Sequence, residues 1–471
     1  MGTRKNREVY PLIPPQEMIN FMHTHALHKQ VTQIPDAIIF DQEIDFAVLA
    51  QAVNVEIQRN DCMRIKFFRK NGKIHQIFQE KLEPLSIPVI AFDTEQAQKD
   101  YFDADARKPL KFMKGELYRI RFFRTPDARY GIYLCVHHLV MDNAACFVFF
   151  NDLMAVYDHL KFGKPMPKPL GKYEDKIKKE LAYYADGSVR KKLKQEYTEY
   201  LMKTGEPLYL GVEGMRSLEK ARKLFHKPDL KAPPVYDILN DKAEYIKKRF
   251  TPELSAKADA FMEQRAVSGE CLIQLGMRLH LAHLNGRHNE TFFMVLCPRR
   301  CTRDEKRMGG NITCAMPWRV VIEEDDTFEE ALQKLQKLQV WVFRHMDFPF
   351  CDYRDLEHEL YHYSPITSAP SMMFSWMPVD KNSVNGYDYD YVGYDLGRYV
   401  FPLYTFSMHD AKSGCIRISY LHRVRTITND DIDLLHNNTA RVIEAGIENP
   451  NMTVGEIYAM LDGEKSKSYS V

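Results

Sequence analysis

Along the chain the apolar positions switch between helical spacing and strict alternation, and each switch marks a secondary-structure element. Helical spacing predicts helices over about 15–28 and 46–59, and alternation predicts a strand over 63–68. Residues 117–123 and 130–136 read as neighbouring strands, because Pro126-Asp127 between them is a turn signal. Helical spacing resumes over 144–160, with Phe147, Phe150, Leu153, Met154 and Tyr157 on one face. A lysine-rich helical region over 173–204 leads into 222–241, which has no period and reads as a passage between lobes. Beyond it the order recurs, with a strand at 245–250, helices at 252–265 and 270–284, and a strand at 292–297. Further on, 328–343 reads as a core helix through Leu332, Leu335, Leu338 and Val342, and 387–394 reads as a pocket wall, a lobe seam or an exposed edge strand. The end of the chain offers a strand at 415–420 and helices at 431–447 and 454–461. This grammar predicts a mixed α/β protein of two lobes, 1–182 and 183–471, without a residue-by-residue repeat.

Composition narrows the function classes. A length of 471 residues exceeds what one core usually serves, and 45% hydrophobic content can fill two. Net charge is +1 with both signs interspersed, which gives no footprint for nucleic acid or a membrane surface. The nine cysteines are an odd number, several in strand-like apolar runs, and no secretory leader pattern precedes them, so a cytoplasmic location is expected. No apolar run reaches the roughly 18 residues that a membrane-spanning helix needs.

Chemistry concentrates in Tyr133-Leu-Cys-Val-His137-His138-Leu-Val-Met-Asp142-Asn143, where an apolar strand runs into a loop ahead of a helix. A buried imidazole with a carboxylate four positions on is the arrangement expected of a base held in a tunnel. A competing pattern, His358-Glu359-Leu360-Tyr361-His362, matches His-Glu-x-x-His, which on a helix would present two imidazoles to zinc. Ser364-Pro365 closes any such helix just past the second histidine, and no third ligand follows at the extended spacing. Cys297-x-x-x-Cys301 has no second pair, so no metal is expected.

The residues resemble the condensation domains of nonribosomal peptide synthetases, within the chloramphenicol-acetyltransferase-like acyltransferases. Tyr10-Pro-Leu-Ile-Pro-Pro-Gln16 is similar to that family's opening motif. Arg59-Asn60-Asp-Cys-Met-Arg64-Ile-Lys-Phe67 resembles Arg-His-Glu-x-Leu-Arg-Thr-x-Phe, with asparagine in place of histidine. His137 to Asn143 matches His-His-x-x-x-Asp-Gly except at the last residue. Tyr173-Glu-Asp175 resembles Tyr-x-Asp, 310–319 ends in Met-Pro-Trp-Arg where the family has Leu-Pro-Leu-Arg, and His345-Met-Asp-Phe-Pro-Phe350 resembles His-Gln-Asp-Tyr-Pro-Phe. Each motif is short; their shared order across the chain gives the resemblance its force.

The resemblance implies two chloramphenicol-acetyltransferase-like lobes in a V-shaped pseudo-dimer with a tunnel between them, and transfer of an acyl group from a phosphopantetheine thioester to an amine. His138 matches the catalytic position and His137 a packing neighbour. Asp142 matches a structural carboxylate that pairs with an arginine from the second lobe, for which Arg299 and Arg300 are candidates and Arg64 an alternative. Asn143 stands where the family has glycine; asparagine tolerates a left-handed backbone, and its amide adds bulk beside the small Ala144 on the expected tunnel wall. Ser375 and Trp376 resemble the late strand facing the tunnel. No cofactor is expected to be held permanently, and no Gly-Gly-x-Ser attachment site for phosphopantetheine is present. The donor is therefore expected on a separate acyl or peptidyl carrier protein or on CoA, with a stand-alone monomeric enzyme the preferred form. Ester formation with a hydroxyl acceptor is the rival chemistry, and a non-catalytic domain that recruits carrier proteins or tailoring enzymes is the rival class.

Overall fold

The computed structural model describes residues 8–233, 240–364, 367–380, 383–410 and 412–463. The chain divides into two compact units, but not by one cut: the first comprises 1–191, 298–314 and 382–397, and the second 192–297, 315–381 and 398–471. Each unit is built on a six-stranded sheet.

In the first unit the strands lie in the order Ser383–Val384, Tyr387–Gly393, Gln33–Phe40, Tyr130–His137, Tyr118–Arg124 and Val89–Ala91. All neighbours are antiparallel except the last pair. Tyr130–His137 is buried at every position but its first, which is why it reads as a nearly continuous apolar run. It pairs with Tyr118–Arg124 as expected, Tyr118 opposite Val136. On its other side lies Gln33–Phe40, a strand the patterning does not predict, because Pro35 interrupts the run. Pro35 is tolerated near the strand's start, where its carbonyl accepts from the Tyr394 amide. Of the three readings of the Tyr-rich segment, the edge strand comes nearest, since only the two-residue strand Ser383–Val384 lies outside it. Helix Asn143–Phe162 follows the histidine strand and buries Phe150, Leu153, Met154 and Tyr157; Phe147, expected on the same face, is only half-buried, against Tyr391. A separate three-stranded antiparallel sheet joins Tyr10–Pro11, Lys73–Phe78 and Ile65–Lys70.

The lysine-rich region is two helices, Tyr173–Tyr183 and Ser188–Met202, the second opening just past Gly187 at φ 72°. The aperiodic passage begins inside a helix, Arg216–Phe225, and 234–239 lie outside the described residues. In the second unit the sheet order is Cys314–Val321, Glu290–Cys297, Met372–Asp380, Leu403–Asp410, Cys415–Arg423 and Ala243–Arg249. Helices Pro252–Arg265 and Asn429–Glu448 pack together, and Gly269–Leu284 is buried along nearly its whole length. The mixed α/β class expected from the patterning is the class observed. Among the described residues no helix is long and apolar enough to cross a membrane.

Candidate active site

The histidine strand ends at His137, and a tight turn over 138–140 separates it from helix Asn143–Phe162. From Gly131 to Asp142 every residue is buried except His138, which is half-buried. Its amide donates to the Thr32 carbonyl at 2.8 Å, and its Nδ1 is enclosed by protein. Burial holds this imidazole below its ordinary pKa, while Asp142 and a contact with its own backbone pull the other way. The result is an imidazole that is neutral around pH 7 and still reachable from one side.

Asp142 is buried and caps helix Asn143–Phe162, accepting from the Ala145 amide at 2.8 Å. Its Oδ1 also accepts from Arg300 Nη2 at 2.8 Å, and its Oδ2 accepts from the Ile312 amide and the Thr313 hydroxyl, both at 3.1 Å. Burial alone would raise this carboxyl, but Arg300 and the two amides outweigh it and leave the pKa below the ordinary value. None of its four donors is His138, whose Nδ1 has no hydrogen-bond partner among the described residues, so the carboxylate shapes the loop and is not hydrogen-bonded to the imidazole. Arg300 is held in turn by the carbonyls of Glu305, Met308 and Gly310. Gly310 allows this bend: its φ is +90°, and a Cβ there would lie 2.2 Å from the Tyr173 ring. The arginine that pairs with Asp142 does not come from a second lobe as expected: the returning segment 298–314 places Arg300 in the same compact unit as the histidines.

Sequence alone left three arginines open. Arg299 instead forms a two-pronged pair with Glu180, at 2.9 and 3.2 Å, and Arg64 donates to the carbonyls of Gln79 and Glu80. Asn143 corrects the backbone argument made from its likeness to glycine. It is the first residue of the helix, absent from the positive-φ positions, so no left-handed conformation is required there. Asn60, which replaces the family histidine, is buried; it donates to Glu56 and accepts from the Cys62 thiol. His137 is fully buried, with its Nδ1 accepting the Leu139 amide at 3.2 Å. Ala144 is half-buried in the first turn of the helix.

Ser375 and Trp376 belong to the second unit, on strand Met372–Asp380. Ser375 Oγ lies 2.9 Å from the Tyr404 hydroxyl, and the half-buried Trp376 ring covers Gly269, where a Cβ would lie 2.3 Å from it. The zinc-like pattern does not present two imidazoles on one helical face. His362 leaves helix Phe350–Tyr361 with φ 57°, and His358 Nδ1 is bound to the Tyr363 carbonyl at 2.7 Å. Pro365, invoked as the helix stop, lies outside the described residues. Ile312 and Thr313 are site residues that sequence reasoning missed, although the motif containing them was noticed.

Comparisons with known proteins point to one family. The family model described as Condensation domain matches residues 6–468. Surfactin synthase subunit 2 of Bacillus subtilis (strain 168) is 19% identical over 465 residues, 98% of this chain, while the chain spans only 12% of that protein. Among solved structures, the first condensation domain of the calcium-dependent antibiotic synthetase, in complex with a substrate analogue, aligns with a TM-score of 0.77 at 16% identity, covering 95% of this chain and 99% of that one. A mutant starter condensation domain of rhizomide synthetase in complex with C8-CoA aligns at 0.76 with 16% identity, covering 95% and 96%. A chain matched by the family model over nearly its full length, on a fold shared with those structures, belongs to the condensation domain family of nonribosomal peptide synthetases.

Proposed function

We propose that this chain is a condensation enzyme that joins an acyl group, delivered as a thioester on phosphopantetheine of a carrier protein or on CoA, to an amine. The observation that carries the reading is His138: the one residue from Gly131 to Asp142 that keeps an open side, on a turn braced by the Asp142–Arg300 pair. In the reaction the amine nitrogen bonds to the thioester carbonyl carbon, the C–S bond breaks, and the sulfur leaves as a thiol. The proton lost by nitrogen passes to sulfur, with His138 accepting or orienting it. An imidazole held below its ordinary pKa is a weak base, which suits an amine of pKa about 8 better than a hydroxyl. This favours amide over ester formation. The rhizomide synthetase domain bound to C8-CoA supports a thioester donor of this class. A reducing, cytoplasmic setting goes with this reading, on the odd number of cysteines and their place in apolar runs of the sequence.

The test is mass spectrometry of the purified chain with octanoyl-CoA and acyl N-acetylcysteamine thioesters, against panels of amines and hydroxyl acceptors. Amide product is expected, reduced by at least about 100-fold in His138→Ala. Equal product from His138→Ala would overturn the role of His138. Product only with hydroxyls would establish the ester chemistry, and none with any pair would favour a recruiting domain.

A further inference from the structure

Thr32 ends a single 3-10 turn, Lys29–Thr32, and leads into strand Gln33–Phe40; it is 1% exposed. Its carbonyl accepts the His138 amide at 2.8 Å. Its hydroxyl donates to the Lys29 carbonyl at 3.0 Å, which commits its only proton. Two imidazole nitrogens also reach that oxygen: His137 Nε2 at 3.3 Å and His23 Nδ1 at 3.1 Å. With the hydroxyl proton committed, both nitrogens must be the donors. Nε2 of His137 therefore carries its proton, and its Nδ1 is left as a lone pair, which the Leu139 amide meets at 3.2 Å. The two amides on either side of the His138 α-carbon are thus both anchored through Thr32, one directly and one through His137.

We propose that Thr32 is the positioning residue of this site: its carbonyl and hydroxyl together fix the turn that carries His138, and its hydroxyl sets the tautomer of His137. The inference rests on reading His138 as the reacting imidazole. It also gives His137 a defined part. A proton on its Nδ1 would face the Leu139 N–H, so His137 cannot take up a proton without releasing the turn, and it is no reserve base.

The charged and titratable groups facing this cluster are few. Lys29 is turned away, its ammonium donating to the carbonyls of His23, Thr24 and Ala26. His23 is held neutral by burial and by Lys29, its pKa lowered to about 4. His137 lies well below its ordinary value through burial and the neighbouring His23 and His138. Asp142 acts electrostatically on His138, raising its pKa against the effect of burial.

The test uses diethyl pyrocarbonate, which modifies neutral imidazoles, with the rate at His138 followed by peptide mass spectrometry across pH. Thr32→Val keeps the shape and removes the hydroxyl. The loosened turn admits water to His138, so the midpoint of its modification curve is expected to rise by about half a pH unit or more, and Thr32→Ser is expected to restore the parent curve. An unchanged midpoint and rate in Thr32→Val, or a folded Thr32→Ser that behaves like the valine variant, would overturn the proposal. Should Thr32→Val not fold, 15N NMR of histidine-labelled parent protein decides: His137 protonated on Nε2 is expected, and protonation on Nδ1 refutes it. Neither measurement uses an acyl substrate, so failure here is distinct from failure to find product.

Discussion

Four donors converge on the Asp142 carboxylate, and one of them is a guanidinium whose side chain is only 7% exposed, against 2% for the acid. Removing the acid strands that charge, a loss of roughly 3–5 kcal/mol by analogy with other broken buried pairs, with about 1 kcal/mol more for the lost helix cap. Asp142→Ala is therefore expected to fold in lower yield and to unfold at markedly lower urea concentration. A variant as resistant to urea as the parent, yet without turnover, would show that Asp142 acts in chemistry and not as a brace. Because its folded pKa lies below the unfolded value, the stabilisation is complete above the ordinary carboxylate range and fades only as pH falls through the folded value. At this scale the sequence was legible for residue type but not for partner. Arg299 and Arg300 are adjacent in the chain, and only the backbone decides that one turns to Glu180 and the other to Asp142. Thr32 was invisible for a related reason: a threonine 105 residues before His137 carries no local signal of the contact.

Helix Gly269–Leu284 is tied to its sheet by Arg278, which is fully buried and hydrogen-bonds to neutral acceptors. Its guanidinium donates to Gln274 on its own helix, to the Thr291 carbonyl and hydroxyl on strand Glu290–Cys297, and to the Trp318 carbonyl on strand Cys314–Val321, and it stacks 4.0 Å over the Phe293 ring. Burial pulls its pKa down to about 9. Two effects compete in Arg278→Met: a desolvated cation disappears, but buried carbonyls lose their donors at about 1–3 kcal/mol each. With carbonyls on two strands orphaned, destabilisation is expected to win. Arg278→Lys should be nearly as damaging, because one ammonium cannot span both strands as the planar fork does. Urea unfolding followed by tryptophan fluorescence checks this, since Trp318, Trp341 and Trp376 all lie in the second unit. A lysine variant as stable as the parent would show that charge matters and fork geometry does not. Helices of this kind were readable from spacing, as Leu332, Leu335, Leu338 and Val342 show by being buried in Phe328–Arg344. Strand Gln33–Phe40 was not, because its proline mimics a break and its apolar run is too short to outweigh it.

Across the molecule, histidines kept neutral by burial set the response to acid. His280 and His436 are fully buried in the second unit, with pKa values lowered by burial to about 3 and about 4. Free histidine titrates near 6.5, so the unfolded chain takes up protons that the folded one refuses, and stability is lost as pH falls from there toward the folded values. At pH 5 the difference is about 2 kcal/mol for each residue. Carboxylates such as Asp142 lose their contribution only at lower pH, so acid sensitivity is expected to begin near pH 6. Tryptophan-detected urea midpoints at pH 7 and pH 5 measure it, and His280→Gln with His436→Gln should flatten the dependence; an equally steep fall in the double variant would place its origin elsewhere. The returning segments 298–314 and 382–397 carry a consequence for synthesis. On a ribosome, the first unit waits for Arg300 to neutralise Asp142 and for Tyr387–Gly393 to cover the open side of Gln33–Phe40. Until residue 314 has emerged the early-made half holds an acid without its partner, and until 397 it carries a bare strand edge, so the first unit cannot close before most of the second has been made.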